Sequence, residues 1–274
     1  MKTILNHITT LLLVVVAMAM PEQSRGADAT TTAEALWAEG IEAYEGKDYA
    51  SAVDAFTQIV TLGEANEDVY YNLANAYFKL GQHTTTTRPF GSGELGRAVL
   101  NYHRALRLNP AMADARYNLE LAVDHTNDTV SVPKSFVAVL WHSLRDSATS
   151  NGWTIASLSM LGAMLILVMF YLLSAQNILR KVCFFAAIAL IIGVVLTLSL
   201  AISSRNSVLE DNRAVVLCND TTPVHASPDN ASKIIRQPSQ GVTIFVERTH
   251  SDWAEIRFAD GEKGWIPNSR IELI

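Results

Sequence analysis

Histidine and cysteine are the side chains of this 274-residue sequence best suited to metal ligation or nucleophilic attack, and neither is arranged for it. The seven histidines stand at 7, 83, 103, 125, 142, 225 and 250, with no pair at metal-ligand spacing and no HExxH. Cys183 falls inside a long apolar run and Cys218 follows Val215, Val216 and Leu217, so the two cannot meet in a disulfide. Cys218 reads either as a buried small hydrophobe or as a redox-active thiol. There is no GxSxG elbow, no phosphate-cradling Walker loop and no GxGxxG. Aspartates and glutamates mostly decorate helix faces. Without a nucleophile or base in a defined constellation, the expectation is a protein that is not an enzyme and holds no cofactor or metal.

The elements that would position any site are organised around two uncharged apolar runs, Trp153–Ser174 and Val182–Ser203, each of 22 residues. A helix rising ~1.5 Å per residue needs ~20 such residues to cross a hydrocarbon core of ~30 Å. Only the seven residues AQNILRK separate the runs, so a transmembrane hairpin is expected, with both flanking segments in one compartment. Residues 1–26 have the form of an export signal: Lys2, the apolar run Leu11–Val16, then Ala17-Met18-Ala19 as the cleavage site. An uncleaved anchor is the alternative, and either version exports the segment after it. Arg180 and Lys181 in the hairpin turn place the turn in the cytoplasm by the positive-inside rule. The expected location is the inner membrane, with both termini periplasmic.

Net charge is −6, and no basic stripe offers itself to phosphates, which excludes nucleic-acid binding as the main role. Between the signal and the hairpin the sequence repeats itself. Trp37 and Tyr71 stand 34 apart at matching points, and YNL recurs at Tyr71 and Tyr117, a gap of 46. The 12 extra residues coincide with HTTTTRPFGSGE at 83–94, whose Pro89, Gly91 and Gly93 no helix interior would hold. This insertion reads as a tolerated change at an exposed turn. Gly40, Ala52 and Phe56 in one repeat, and Ala74, Tyr77, Ala98, Tyr102, Ala105 and Pro110 in the next, resemble tetratricopeptide (TPR) repeats. Ile59 and Glu64 depart from the pattern. A last helix from Ala113 to His125 reads as a cap, so residues 27–128 hold two repeats and a cap, below the ~3 repeats a stable stack needs. The module must therefore lean on something: the membrane surface, a copy of itself, or a partner. The resemblance implies a groove lined by Trp37, Ile41, Tyr44, Tyr71, Asn72, Asn75, Phe78, Lys79, Tyr117, Asn118 and Leu121. The aromatics among these could equally be core. Asn72, Asn75 and Lys79 are the stronger groove residues, since polar groups have little reason to be buried unpaired.

Residues 133–148 form one short amphipathic segment in which Phe136, Val137, Leu140, Trp141 and Leu144 share a face. It is expected to lie in the membrane interface, or else to pack on the cap helix. Residues 213–274 change texture. Five strand-like runs alternate with turn clusters such as SPDN and ADGEKG, which suggests a small closed all-β barrel. Gly241, Trp253 and the GWIP at 264–267 resemble a bacterial SH3 domain, and this implies Trp253 and Trp265 as ligand-surface residues, with barrel core an equal alternative for Trp265.

The order of signal, TPR repeats, two-span hairpin and SH3 barrel resembles the BatE-type proteins of the Bacteroides aerotolerance operon. LGRAVLNYHRALRLNPAMADARYNLELA and the ending GWIPNSRIELI carry the likeness. It implies a non-catalytic inner-membrane adaptor acting in aerotolerance or envelope stress. Its implied partners are von Willebrand A-type membrane proteins and, indirectly, a MoxR-type ATPase. The competing expectation is a cell-wall sensor or tether that binds peptidoglycan through the SH3 domain. Gly162 and Gly193 read either as ordinary glycines of membrane helices, the favoured reading, or as close-approach points for helices within the spans.

Overall fold

The computed structural model describes residues 27–83, 90, 93–126, 135–209 and 211–274. The expected export signal and all of the 83–94 insertion except His83, Phe90, Gly93 and Glu94 lie outside the described residues.

Among the described residues five helices come first: α1 (Ala27–Glu45), α2 (Tyr49–Thr61), α3 (Glu67–His83), α4 (Glu94–Leu108) and α5 (Ala113–Asp124). Their starts are fixed locally. Asp48 accepts the Ser51 amide at 3.2 Å ahead of α2, and Asn66 accepts the Val69 amide at 2.9 Å ahead of α3. Successive helices pack in pairs because small residues at the contacts, among them Ala52, Ala74, Ala98 and Ala105, are fully buried and let backbones approach. Phe56, Ile59, Val69 and Leu73 fill the space under Trp37 in the first cluster, and Phe78, Leu95, Val99 and Tyr102 fill the second.

The second cluster does not end with the helices. Val215 and Ile274 of the C-terminal sheet are buried in it, and Leu217 packs against it. The helical module leans on the sheet of its own chain, an arrangement outside the three supports expected from the sequence. Polar bonds close the joint. Gln240 accepts the Gly96 amide at 3.3 Å and donates its Nε2 to the Phe90 carbonyl. Arg104 donates to Glu272 at 2.6 Å and to the Leu273 carbonyl at 3.1 Å. Arg107 donates both to the Ile274 carbonyl and, at 3.1 Å, to the Val208 carbonyl. One guanidinium thereby links α4, the end of the long apolar helix and the last strand.

Phe90 changes the reading of the insertion. Its ring is 6% exposed and lies 5.3 Å from Phe78 and 5.5 Å from His125, centroid to centroid. Its amide donates to Gly81 at 2.9 Å. A Cβ on Gly81 would stand 2.3 Å from the Phe90 ring, so only glycine lets the ring lie flush on α3. At this residue the insertion is a plug in the core, not a change at an exposed turn.

Helix α6 (Phe136–Arg145) precedes two helices long and apolar enough to cross a membrane, α7 (Ser150–Leu173) and α8 (Asn177–Leu209). Only 6% and 22% of their most apolar windows are buried, unlike a helix from a soluble core. Both helices outrun their apolar runs, and α8 continues six residues past Ser203. Gly193 faces α7, where a Cβ would meet the Met160 sulfur at 3.0 Å, whereas Gly162 faces open space.

Four residues after α8 the sheet begins. Seven short strands, β1 (Arg213–Val216), β2 (Val224–His225), β3 (Ile234–Arg236), β4 (Thr243–His250), β5 (Trp253–Arg257), β6 (Lys263–Pro267) and β7 (Ile271–Leu273), form one antiparallel sheet in the order β3-β2-β6-β5-β4-β1-β7. The five runs expected become seven strands because β2 is only two residues long and a 3-10 turn at Asn268–Arg270 divides the last run. Ala214, Val216, Val224, Ile244, Ala254, Ile256 and Ile266 alternate inward to a single core. Strands as far apart in order as β1 and β2 share it, so the sheet curls.

Candidate functional site

Two surfaces among the described residues bring expected site residues together. The first is a cleft of about 180 Å³ lined by Tyr44, Tyr71, Asn75, Phe78, Lys79, Tyr102, Asn118 and Leu121. Helical spacing builds it: Tyr71, Asn75, Phe78 and Lys79 project from one side of α3, and Asn118 and Leu121 from α5. At its floor Asn75 Oδ1 accepts from the Tyr102 hydroxyl at 2.6 Å and from Asn118 Nδ2 at 3.0 Å. Asn118 also donates to the Tyr71 hydroxyl at 3.3 Å. Burial raises the Tyr102 phenol far above its ordinary value, with the neighbouring Tyr71 and Tyr44 adding to it, and burial likewise raises Tyr44. These hydroxyls stay protonated and serve as hydrogen-bonding groups.

The structure thus gathers Tyr44, Tyr71, Asn75, Phe78, Lys79, Asn118 and Leu121 into one cleft, and it leaves Trp37, Ile41, Asn72 and Tyr117 out of its lining. Trp37 packs edge-on against Phe56 at 5.6 Å and lines a separate hollow with Glu34, Ile59 and Asn66. Asn72 turns its amide to the Asp68 carbonyl of its own helix at 2.8 Å. Asn75 belongs to the cleft wall as a brace. Asn75→Ala would leave the buried Tyr102 hydroxyl and the Asn118 amide without their shared acceptor, an expected loss of about 1–3 kcal/mol of stability. Denaturant unfolding of the variant checks this, and an unchanged midpoint would deny Asn75 its bracing role.

The second surface is the outer face of the sheet. Strand register sets His225 beside Trp265, Trp265 beside Glu255, and Glu255 beside Arg248. Trp253 lies in the next row, between Pro267 and His250. Arg248 sits over the Trp265 ring at 5.4 Å while its Nε bonds Glu255 at 2.5 Å. His225 is buried, bonds the Ser232 carbonyl through Nδ1 at 3.1 Å, and presents its ring edge-to-face to Trp253 at 5.4 Å. Both tryptophans are half-buried, with an aromatic flank left to solvent and charged groups around it. Such a face can bind a chain that offers apolar and polar groups together.

Other reactive residue types are spent on packing. His83 packs tilted against Tyr49, His125 packs edge-on against Phe78 and Phe90, and His103 bonds Thr243 across the joint at 3.2 Å. Among the described residues no three of His, Cys, Asp and Glu come together as a metal cage would require. Cys218 lies in the sheet core, where burial raises its thiol above the ordinary value and keeps it protonated.

The inter-module joint, formed by Phe90, His103, Arg104, Arg107 and Gln240, escaped the sequence reading. Helix α4 carried a signal. Beyond the repeat positions Ala98, Tyr102 and Ala105, it also buries Leu95, Gly96 and Val99, and a helix apolar on two sides must be covered on two sides.

No curated protein and no solved structure matches the chain. The sheet is the part with a recognised family: residues 220–272, which carry both tryptophans, match the family model described as a bacterial SH3 domain.

Proposed function

We propose that this protein is a non-catalytic membrane adaptor whose helical module and SH3 sheet act as one interaction unit. The observation that carries the reading is the shared core: Val215, Leu217 and Ile274 lock the sheet onto the helices, yet the docking leaves both the Lys79 cleft and the tryptophan face open. Two ligand surfaces held in fixed relation suit a scaffold. The tetratricopeptide resemblance supports a partner polypeptide in the cleft, beside Lys79 and the exposed Tyr117 and Leu121 of α5. The export signal, and Arg180 and Lys181, which stand at the start of α8 rather than in the link before it, support an inner-membrane hairpin with both modules in the periplasm. The BatE-type resemblance supports von Willebrand A-type membrane proteins as partners and a MoxR-type ATPase reached through them. Only about seven residues would then face the cytoplasm.

A second reading rests on the tryptophan face. Bacterial SH3 domains suggest cell-wall or protein binding, and here that face is free, so the sheet would bind peptidoglycan and the helices would support it.

The full chain, crosslinked in native membranes, separates these readings. Lys79→Glu with Leu121→Glu is expected to lose most of the captured partner protein and to keep co-sedimentation with peptidoglycan. Trp253→Ala with Trp265→Ala is expected to leave partner capture intact. Capture untouched by the cleft pair would overturn the adaptor reading, and peptidoglycan binding lost with the tryptophans would favour the second.

A further inference from the structure

Helix α6 faces the wrong way for a water-soluble surface. Its half-buried positions include Ala138 and Arg145, on the side turned toward the rest of the chain. About 100° around the helix stand Phe136, Val137, Leu140, Trp141 and Leu144, with exposures of 79%, 73%, 57%, 36% and 40%. No α6 residue is buried. A helix folded onto protein would show the opposite arrangement.

The surroundings of α6 identify what covers this face. Its C-terminal end is tied to the first apolar helix by the Trp153 indole, which donates to the Arg145 carbonyl at 3.0 Å. The α6–α7 junction is level with the far end of α8, because the Ser150 hydroxyl bonds the Ala201 carbonyl at 3.1 Å. One turn beyond Ala201 stands Arg205, exposed and without an ion pair among the described residues. From Lys181 to Arg205 the helix climbs about 36 Å at ~1.5 Å per residue, slightly more than the ~30 Å of hydrocarbon. The two cations therefore mark opposite headgroup levels, and α6 lies at the level of Arg205.

We propose that α6 is an interfacial helix, its five-residue apolar face sunk among the lipid headgroups and upper acyl chains of the leaflet beside Arg205. Trp141 and Trp153 sit at the depth where indoles are favoured, each presenting an apolar body, with the Trp153 donor already bonded to Arg145. The binding fixes the posture of the whole unit. Arg107 ties α4 to Val208 at the end of α8, and Arg116 of α5 reaches the Asp146 carbonyl at 3.5 Å, just past α6. With α6 anchored, the parts of α4 and α5 that carry Arg107 and Arg116 are held at the level of Arg205. The proposal rests on the hairpin spanning a bilayer and is independent of which ligand the unit takes.

Nitroxide labels on the full chain in phosphatidylcholine–phosphatidylglycerol nanodiscs test it. The native Cys183 and Cys218 are buried, so the unsubstituted chain serves as the unlabelled control. At Leu140→Cys, collisions with oxygen are expected to persist and collisions with a water-soluble nickel chelate to be lost, relative to His142→Cys on the opposite side of α6. Val137→Cys repeats the measurement should the first variant fail to fold. Position 140 open to the nickel chelate would overturn the proposal, as would shielding from both reagents, the mark of a partner or second copy. Leu165→Cys, midway along α7, reports separately on the hairpin, and its exposure to the chelate would remove the premise.

Discussion

Phe90→Ala is expected to destabilise the helical module and the sheet together, by about 3–5 kcal/mol, the usual cost of truncating a buried phenylalanine. The ring fills the space between Phe78, His125 and the bare face of Gly81, and alanine would leave that space empty. It belongs to the same cluster as Val215 and Ile274, so the cavity would open where the modules meet. The backbone at Phe90 is also held in the left-handed region, φ 61°, while its carbonyl accepts from Gln240. Alanine keeps that strain and removes the packing that balances it. Hydrogen exchange of the full chain in detergent reads the result. Protection of the 94–108 and 213–217 backbones is expected to fall together, by about 100-fold or more at 3 kcal/mol. Loss confined to the helices would mean that the two modules are only neighbours.

The coupling between modules is the part of the fold the sequence hid. Hydrophobic period and the 34-residue recurrence mark the helices well, because Trp37, Ala52, Phe56, Ala74 and Tyr102 express local rules of packing. Those rules do not reach from Phe90 to Gln240 or from Arg107 to Ile274, contacts about 150 and 167 residues apart in the chain. The cleft was legible in part for the same reason. Asn75, Lys79 and Asn118 are placed by helix geometry, whereas Trp37 occupies the equivalent of Tyr71 one pair earlier and so falls into a different hollow. Asn75 drew attention as a polar residue needing a partner, and its partners, Tyr102 and Asn118, lie 27 and 43 residues away. In the sheet, alternation and the GWIP run inside β6 mark the long strands β4, β5 and β6. A two-residue strand such as β2 has too few residues to show a period.

Acidification is expected to loosen the joint through His103. Its ring lies between α4 and the sheet, with Nε2 3.2 Å from the Thr243 hydroxyl. Burial, with the positive charge of Arg213 adding to it, lowers its pKa from 6.5 to about 3, against the opposing pull of Asp211. Arg104 and Arg107 add cationic charge from its own helix, and Glu272 on β7 is occupied by Arg104. The folded protein therefore resists the proton that the unfolded chain accepts first. Stability is complete above about pH 6.5 and falls as the pH drops from there toward 3, because the unfolded state binds more protons throughout that window. The ring is only half-buried, so water at its outer edge trims the effect. Asp211 titrates lower. Burial would raise its pKa, but the hydrogen bonds and charge of Arg213, helped by Arg107, overcome this and hold it below the ordinary carboxylate value. Its share of stability is lost only as pH falls below about 4, the unperturbed aspartate range, which sets it apart from the higher window in which His103 acts. His103→Gln keeps a group able to bond Thr243 and removes the titration. Denaturant midpoints measured from pH 8 to pH 4.5 are expected to slope downward for the wild-type chain and to stay level for His103→Gln. Equal slopes would place the acid-sensitive group elsewhere in the joint.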